Sequence, residues 1–157
     1  MDVSKTASRE NHFIRSCTSR HGMIPVAQKV SDETRLLKEV IENLSCDDPE
    51  ARRKALTQVM VFVWRPGWKP AEFVALKGIP ALVGMLGEED EKSRVQAVEA
   101  IERLIELGAS QELAGEGVVP LLERMAANDR YEPLRMIAGR AVAKIRGRMK
   151  VQTQDTR

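Results

Sequence analysis

Residues 73–86 read FVALKGIPALVGML, and this segment shows how helices follow one another along the chain. Its first half is a short apolar run that ends in Lys77-Gly78, and glycine is the residue that most often closes a helix in the left-handed conformation. Pro80 follows at once, and proline is favoured in the first turn of a helix, where an N–H group has no intrahelical partner. The segment therefore predicts a short helix, a glycine corner and a second helix.

The same punctuation recurs along the rest of the chain. Prolines that open stretches with helical spacing are Pro49, Pro70, Pro80, Pro120 and Pro133. Glycines that follow such stretches, and are predicted to end them, are Gly78, Gly87, Gly108 and Gly147. Between these marks apolar residues recur at helical spacing, as in Val98, Ile101 and Ile105, and no comparable stretch alternates with period two. With aromatic residues at only 4%, the sequence predicts an all-α fold.

A pattern of about forty residues occurs three times in succession. Apolar residues behind Pro80 recur behind Pro120. The following sets coincide under shifts of 42 and 41 positions: Arg52, Ala55 and Val59; Arg94, Ala97 and Ile101; Arg135, Ala138 and Val142. Helical units of this length, none of which buries its apolar face alone, are typical of solenoids. The sequence predicts a domain over residues 31–150 with units at about 31–69, 70–108 and 109–149.

Residues 73–86 resemble the short first helix, glycine corner and second helix of an armadillo repeat, and residues 93–107 resemble its third helix. A weaker match covers residues 113–145, whereas residues 31–64 keep only the last two helices. The resemblance implies a short right-handed α-solenoid of about three armadillo-like repeats, similar also to HEAT repeats. It implies an adaptor, scaffold or regulator that binds a partner protein or peptide on its concave surface.

The resemblance does not extend to the way in which importin-alpha grips nuclear-localisation peptides. Peptide-carrying armadillo proteins of that kind place Trp and Asn on the third helix. The positions that match the Trp are Thr57, Glu99 and Arg140. The positions that match the Asn are Val61, Arg103 and Lys144. We therefore expect a different mode of partner recognition.

Charged residues mark the surface where we expect a partner to bind. The third helix of the middle unit carries Glu99, Glu102, Arg103 and Glu106 on its polar stripe. The third helix of the last unit carries Arg140, Lys144 and Arg148. An acidic row beside a basic row would orient a partner that bears both charges. The alternative is a solvated face on which Glu99 and Arg103 pair at i, i+4.

Two tryptophans, Trp64 and Trp68, flank a turn sequence between the first two predicted units. Aromatic residues near arginine are enriched in binding hot spots, so both are candidate partner-binding residues. The alternative, which we favour from the sequence, is that both rings cover the edge of the core where the first unit lacks a helix.

Residues 31–150 contain no histidine, since His12 and His21 precede them. The commonest general base and metal ligand is therefore missing from the predicted domain, which favours a binding protein over an enzyme and predicts no catalytic, cofactor or metal site. Cys17 and Cys46 match neither a disulfide framework nor a metal-ligand spacing, which favours an intracellular protein, cytoplasmic or nuclear.

Charge is unevenly distributed, at +3 in residues 1–30, −7 in residues 31–129 and +6 in residues 130–157. Residues 1–30 lack periodicity and are predicted to be a disordered basic tail, for which organelle targeting stays open; residues 151–157 are predicted to be a second tail.

Nucleic-acid binding by the basic C-terminal helix is the alternative function. Self-association through the exposed ends of the solenoid also stays open. No apolar run is long enough to predict a membrane span.

Overall fold

A computed structural model describes the backbone of residues 26–155 and the side chains of residues 32–155. Most of the predicted N-terminal tail therefore lies outside the described residues. The described residues fall into two units, which divide between Asp32 and Glu33. In the first unit the described backbone is helical from Val26, five residues before the predicted start of the helical domain. All the contacts described below belong to the second unit.

The described residues form eight α helices and no β strand, which confirms the predicted all-α class. In chain order they are α1 (Val26–Leu44), α2 (Pro49–Trp64), α3 (Ala71–Ala75), α4 (Gly78–Gly84), α5 (Glu91–Glu106), α6 (Ser110–Gly115), α7 (Val118–Asn128) and α8 (Glu132–Gln154). A turn of 3-10 helix, Met85–Gly87, follows α4 directly.

Prolines begin the helices as the sequence predicts, and acidic residues cap two of them. All five prolines lie in the first turn of a helix or, for Pro70, directly before one. Asp48 caps α2 by accepting a hydrogen bond from the N–H of Glu50 at 3.1 Å. Asp90 caps α5 in the same way, through the N–H of Ser93 at 3.0 Å, and the Ser93 hydroxyl holds the pKa of this carboxyl below its usual range. These caps satisfy N–H groups that the helix itself leaves unpaired.

The prediction that Gly147 ends a helix is wrong, because α8 continues to Gln154. A glycine inside a helix costs only about 1 kcal/mol relative to alanine, and the arginines on both sides favour the helix. Thr153 also donates to the carbonyl groups of Met149 and Lys150, one turn earlier. The helix therefore extends four residues into the segment that was predicted to be a C-terminal tail.

The corner before α4 is built differently from the prediction. The left-handed residue is Lys77, with φ 64°, and Gly78 is already the first residue of α4. Gly78 is needed for a steric reason, since a Cβ atom there would lie 2.5 Å from the ring of Phe73. The matching corner before α7 places Gly117 in the left-handed conformation, with φ 73°.

Three helices pack in succession, α2 against α5 and α5 against α8. Val63, Ile101, Leu104, Ala138 and Ile145 contribute side chains to this core that are wholly buried. Burial of each larger aliphatic side chain stabilises the fold by about 1.5–3 kcal/mol. Because the apolar stripes of α2, α5 and α8 face inward, their polar stripes are left to form the surface described next.

Candidate functional site

Side chains of α2, α5 and α8 line a groove of about 380 Å³, which we call the charged groove. Its lining consists of Trp64, Glu99, Glu102, Arg103, Glu106, Arg140 and Lys144. Seven of the nine residues predicted to contact a partner thus meet at one place. Arg148 lines an adjoining groove of about 420 Å³, which shares Glu106 and Lys144 with the first.

Glu102 lies at the base of the charged groove, only 7% exposed, and its carboxylate is fully engaged. Arg140 donates to it from Nε at 2.6 Å and from Nη2 at 2.8 Å. Lys144 approaches the same carboxylate, with Nζ 2.6 Å from Oε1. The hydrogen bonds from Arg140 hold the pKa of Glu102 below its usual range. The geometry therefore places Glu102 in an internal ion pair.

A second set of contacts surrounds Glu106. Lys144 donates to its Oε1 at 2.8 Å, and Arg103 donates to its Oε2 at 2.9 Å. Both contacts lower the pKa of Glu106, that of Lys144 more strongly. Arg103 also donates from Nε to the carbonyl oxygen of Val63 at 3.1 Å, which ties α5 to the end of α2. The carboxylate partner of Arg103 is thus Glu106 at i+3, whereas the alternative from the sequence paired it with Glu99.

Glu99 differs from the other two acids of the groove. Its side chain is half-buried, and its carboxylate makes no hydrogen bond or ion pair within the described part of the chain. Its charge acts on Arg140 only at longer range, where it contributes to the raised pKa of that guanidinium. Glu99 is therefore the acid of the charged groove that is available to a cation from outside.

The two tryptophans occupy different environments. Trp64 is 58% exposed, and the guanidinium carbon of Arg103 lies 4.9 Å from the centre of its ring, a cation–π contact. Trp68 is 8% exposed, with its ring centre 6.2 Å from those of Phe62 and Phe73. The interpretation that tryptophan covers the core therefore fits Trp68, which is withdrawn from the accessible surface. Of the two rings, only that of Trp64 is exposed.

Three arginines for which the sequence predicted no role fix the loops between helices. We call them the arginine series; they are Arg52, Arg94 and Arg135. Arg52 donates from Nη1 to the carbonyl oxygens of Cys46 at 2.8 Å and Asp47 at 3.0 Å, in the loop before its own helix. Its Nε and Nη2 donate to the carboxylate of Glu88 at 2.6 and 3.2 Å, in the loop before α5. One side chain thus fixes two successive loops.

Arg94 repeats this arrangement one step along the chain. Its Nη1 donates to the carbonyl oxygens of Glu88 at 2.9 Å and Glu89 at 2.8 Å, and its Nε and Nη2 donate to Asp129 at 3.2 and 3.3 Å. Arg135 makes the first of these contacts, to the carbonyl oxygen of Asp129 at 2.8 Å. The coincidence of the three arginines under shifts of 42 and 41 positions was the sequence signal for this role.

No protein-family model matches the chain, and no curated protein matches it. Among the helices between Val26 and Gln154, none has both the length and the apolar character needed to cross a bilayer. The side chains of residues 32–155 include no cluster of three or more histidine, cysteine or acidic residues arranged to hold a metal ion.

Proposed function

We propose that this chain is a short armadillo-like solenoid of three units that binds a partner protein or peptide at the charged groove. The observation that carries the proposal is that one groove contains both the exposed ring of Trp64 and the carboxylate of Glu99, which has no partner among residues 32–155. An exposed aromatic ring beside arginine is a frequent centre of binding energy in protein interfaces.

The arginine series supports the repeated architecture. Arg52 and Arg94 each join the loop before their own helix to the acid of the next loop, with matching donor atoms. The successive packing of α2, α5 and α8 agrees with this repetition. Equivalent atoms in equivalent contacts are what a chain of stacked units requires, since each unit touches its neighbours in the same way.

The internal ion pairs narrow the chemistry of the partner. Three acids and three bases line the charged groove, and Glu102 and Glu106 are already paired with Arg140, Arg103 and Lys144. A partner gains little from these neutralised groups, because it would have to replace contacts that exist already. We infer that it presents an apolar or aromatic side chain to Trp64 and a lysine or arginine to Glu99.

The basic C-terminal helix offers less free charge to nucleic acid than its sequence suggests. Arg140 and Lys144 are paired with the acids of α5, and Arg146 is paired with Glu123 of α7. Phosphate binding depends on cations that can neutralise the nucleic-acid backbone. A protein partner is therefore the proposal, and nucleic-acid binding is an outcome that the experiment must be able to reveal.

The test is capture of partners from a nuclease-treated lysate, followed by calorimetry with each captured protein after purification. Trp64→Ala should weaken the affinity of this chain for the captured protein by roughly tenfold or more, because a hot-spot aromatic residue is lost. Glu99→Arg should weaken it as well. Tyr131→Ala is the matched control, since Tyr131 is 38% exposed but does not line the groove.

Two results would overturn the proposal. One is a partner that binds Trp64→Ala and Glu99→Arg as tightly as the wild-type protein. The other is capture that disappears with nuclease and reappears on addition of RNA or DNA. A substitution that reverses the charge at Glu102 is not a suitable test, because loss of its internal ion pairs would disturb the fold as well as the surface.

A further inference from the structure

The arginine series ends at Arg135, whose Nε and Nη2 donors have no partner among the described residues. Arg135 is held by the carbonyl oxygen of Asp129, as its counterparts are held by the loops before their own helices. Its Nε and Nη2 atoms, which in Arg52 and Arg94 donate to a carboxylate of the following loop, have no partner among residues 32–155. The half-buried Arg135 side chain is thus anchored through Nη1, and the three N–H groups of Nε and Nη2 are free of any partner among residues 32–155.

The other end of the series presents the complementary half of the same contact. The loop before α2 accepts Arg52 through the carbonyl oxygens of Cys46 and Asp47, just as the loop before α5 accepts Arg94. Cys46 occupies the position of Glu88, so the carboxylate next to this position is that of Asp47. The Asp47 side chain is exposed, and it forms no ion pair within the described residues.

We propose that a second copy of this chain docks head to tail, with Arg135 of one copy donating to Asp47 of the next. The contact would continue between copies the pattern that joins Arg52 to Glu88 and Arg94 to Asp129 within one copy. It uses the end of the helical series, not the charged groove, and so it goes beyond the partner binding proposed above.

An apolar side chain supports this surface. Met136, next to Arg135, is 68% exposed. Its counterpart under the shift of 41 positions is Val95, which is partly buried and packs against the core. Docking of a further unit would cover Met136 as Val95 is covered, which adds a hydrophobic contribution to the ion pair.

Contacts between two different surfaces of the same molecule do not close on themselves unless a ring forms. We therefore expect the weight-average mass of the wild-type protein to rise continuously with concentration in sedimentation experiments, and to fall when salt screens the ion pair. Arg135→Gln keeps an N–H donor for the carbonyl oxygen of Asp129 but loses the charge, and should weaken association by about tenfold.

A charge exchange between two variants makes the test specific. Arg135→Glu alone and Asp47→Arg alone should each stay monomeric, because each places like charges opposite one another. Their mixture should associate, since every contact between the two variants again joins a cation to a carboxylate. Arg124→Glu and Glu89→Arg are matched controls, because both side chains are exposed and both changes alter the net charge equally.

The proposal is overturned if the wild-type protein remains monomeric at every concentration, if Arg135→Gln associates as the wild type does, or if the mixed variants fail to associate while circular dichroism shows both to be folded. Trp64→Ala should leave self-association unchanged. The failure of this proposal can thus be told apart from the failure of partner binding at the groove.

Discussion

Arg140 and Glu102 form two parallel hydrogen bonds, of 2.6 and 2.8 Å, that join α8 to α5 across 38 positions of the chain. The bidentate geometry is the strongest arrangement for this pair of side chains. It lies beside the Lys144 contacts to Glu102 and Glu106, so the basic row of one helix is bonded to the acidic row of the other. These internal contacts therefore hold the charged groove in a fixed shape.

Glu102→Gln should lower the free energy of unfolding by about 2 kcal/mol, because it leaves Arg140 without its charged acceptor and Lys144 with Glu106 alone. Urea denaturation at neutral pH measures this change. Glu99→Gln is the matched control on the same helix, since its carboxylate has no partner in the described residues, and it should change stability by less than about 0.5 kcal/mol. Equal effects of the two substitutions would contradict the assignment of Glu102 to an internal ion pair.

The same contacts predict the response to acid. The pKa values of Glu102 and Glu106 are lowered in the folded protein, chiefly by hydrogen bonds from Arg140 and Lys144 respectively. Their stabilising contribution is complete above the unfolded pKa of about 4.3 and is lost as pH falls through the lower folded values. Stability measured from pH 7 downward should therefore decline below about pH 5, and less steeply in Glu102→Gln. Parallel curves of stability against pH for the wild type and Glu102→Gln would show that Glu102 does not contribute to the acid sensitivity.

Tryptophan fluorescence should resolve the two rings. Trp68→Phe leaves Trp64, whose emission should be red-shifted and readily quenched by acrylamide because the ring is 58% exposed. Trp64→Phe leaves Trp68, which is 8% exposed and should emit at shorter wavelength with weak quenching. Similar quenching constants in the two variants would contradict the placement of Trp68 in the core.

Lys77→Gly should stabilise the protein by about 1 kcal/mol, because a residue with a Cβ atom is strained at positive φ whereas glycine is not. The backbone at Lys77 has φ 64°, and Gly117 already fills the equivalent corner. Thermal unfolding measures the gain. Lys77→Ala is the control, since it removes the charge but keeps the Cβ atom, and a similar gain from that substitution would refute the conformational explanation.

Helix boundaries could be predicted from sequence where local chemistry sets them. Pro49 and Pro133 mark helix starts because proline suits the first turn whatever surrounds it. Gly147 misled the prediction because glycine only weakens a helix, and its neighbours carry α8 through it. The steric need for glycine at position 78 could not be foreseen, since it depends on the ring of Phe73 lying against Gly78.

The location of the candidate site was predictable, but its internal chemistry was not. Helical spacing was enough to bring Glu102, Arg140 and Lys144 to one surface. Their pairing depends on the register between α5 and α8, which local spacing does not determine. For the same reason the spacing at i, i+4 indicated a partner for Glu99 on its own helix, whereas Arg103 bonds to Glu106 and to the end of α2.

Site-specific photocrosslinking tests most directly the claim that a protein partner contacts the charged-groove surface. Val61 is 67% exposed and lies one turn before Trp64 on α2, so a crosslinking residue there would point beside the groove. Leu36, 44% exposed on α1, is the comparison position. We predict a discrete crosslinked protein from position 61 that is lost with Trp64→Ala and is weak or absent from position 36. Equal crosslinking from both positions, or a product that survives Trp64→Ala, would contradict the account.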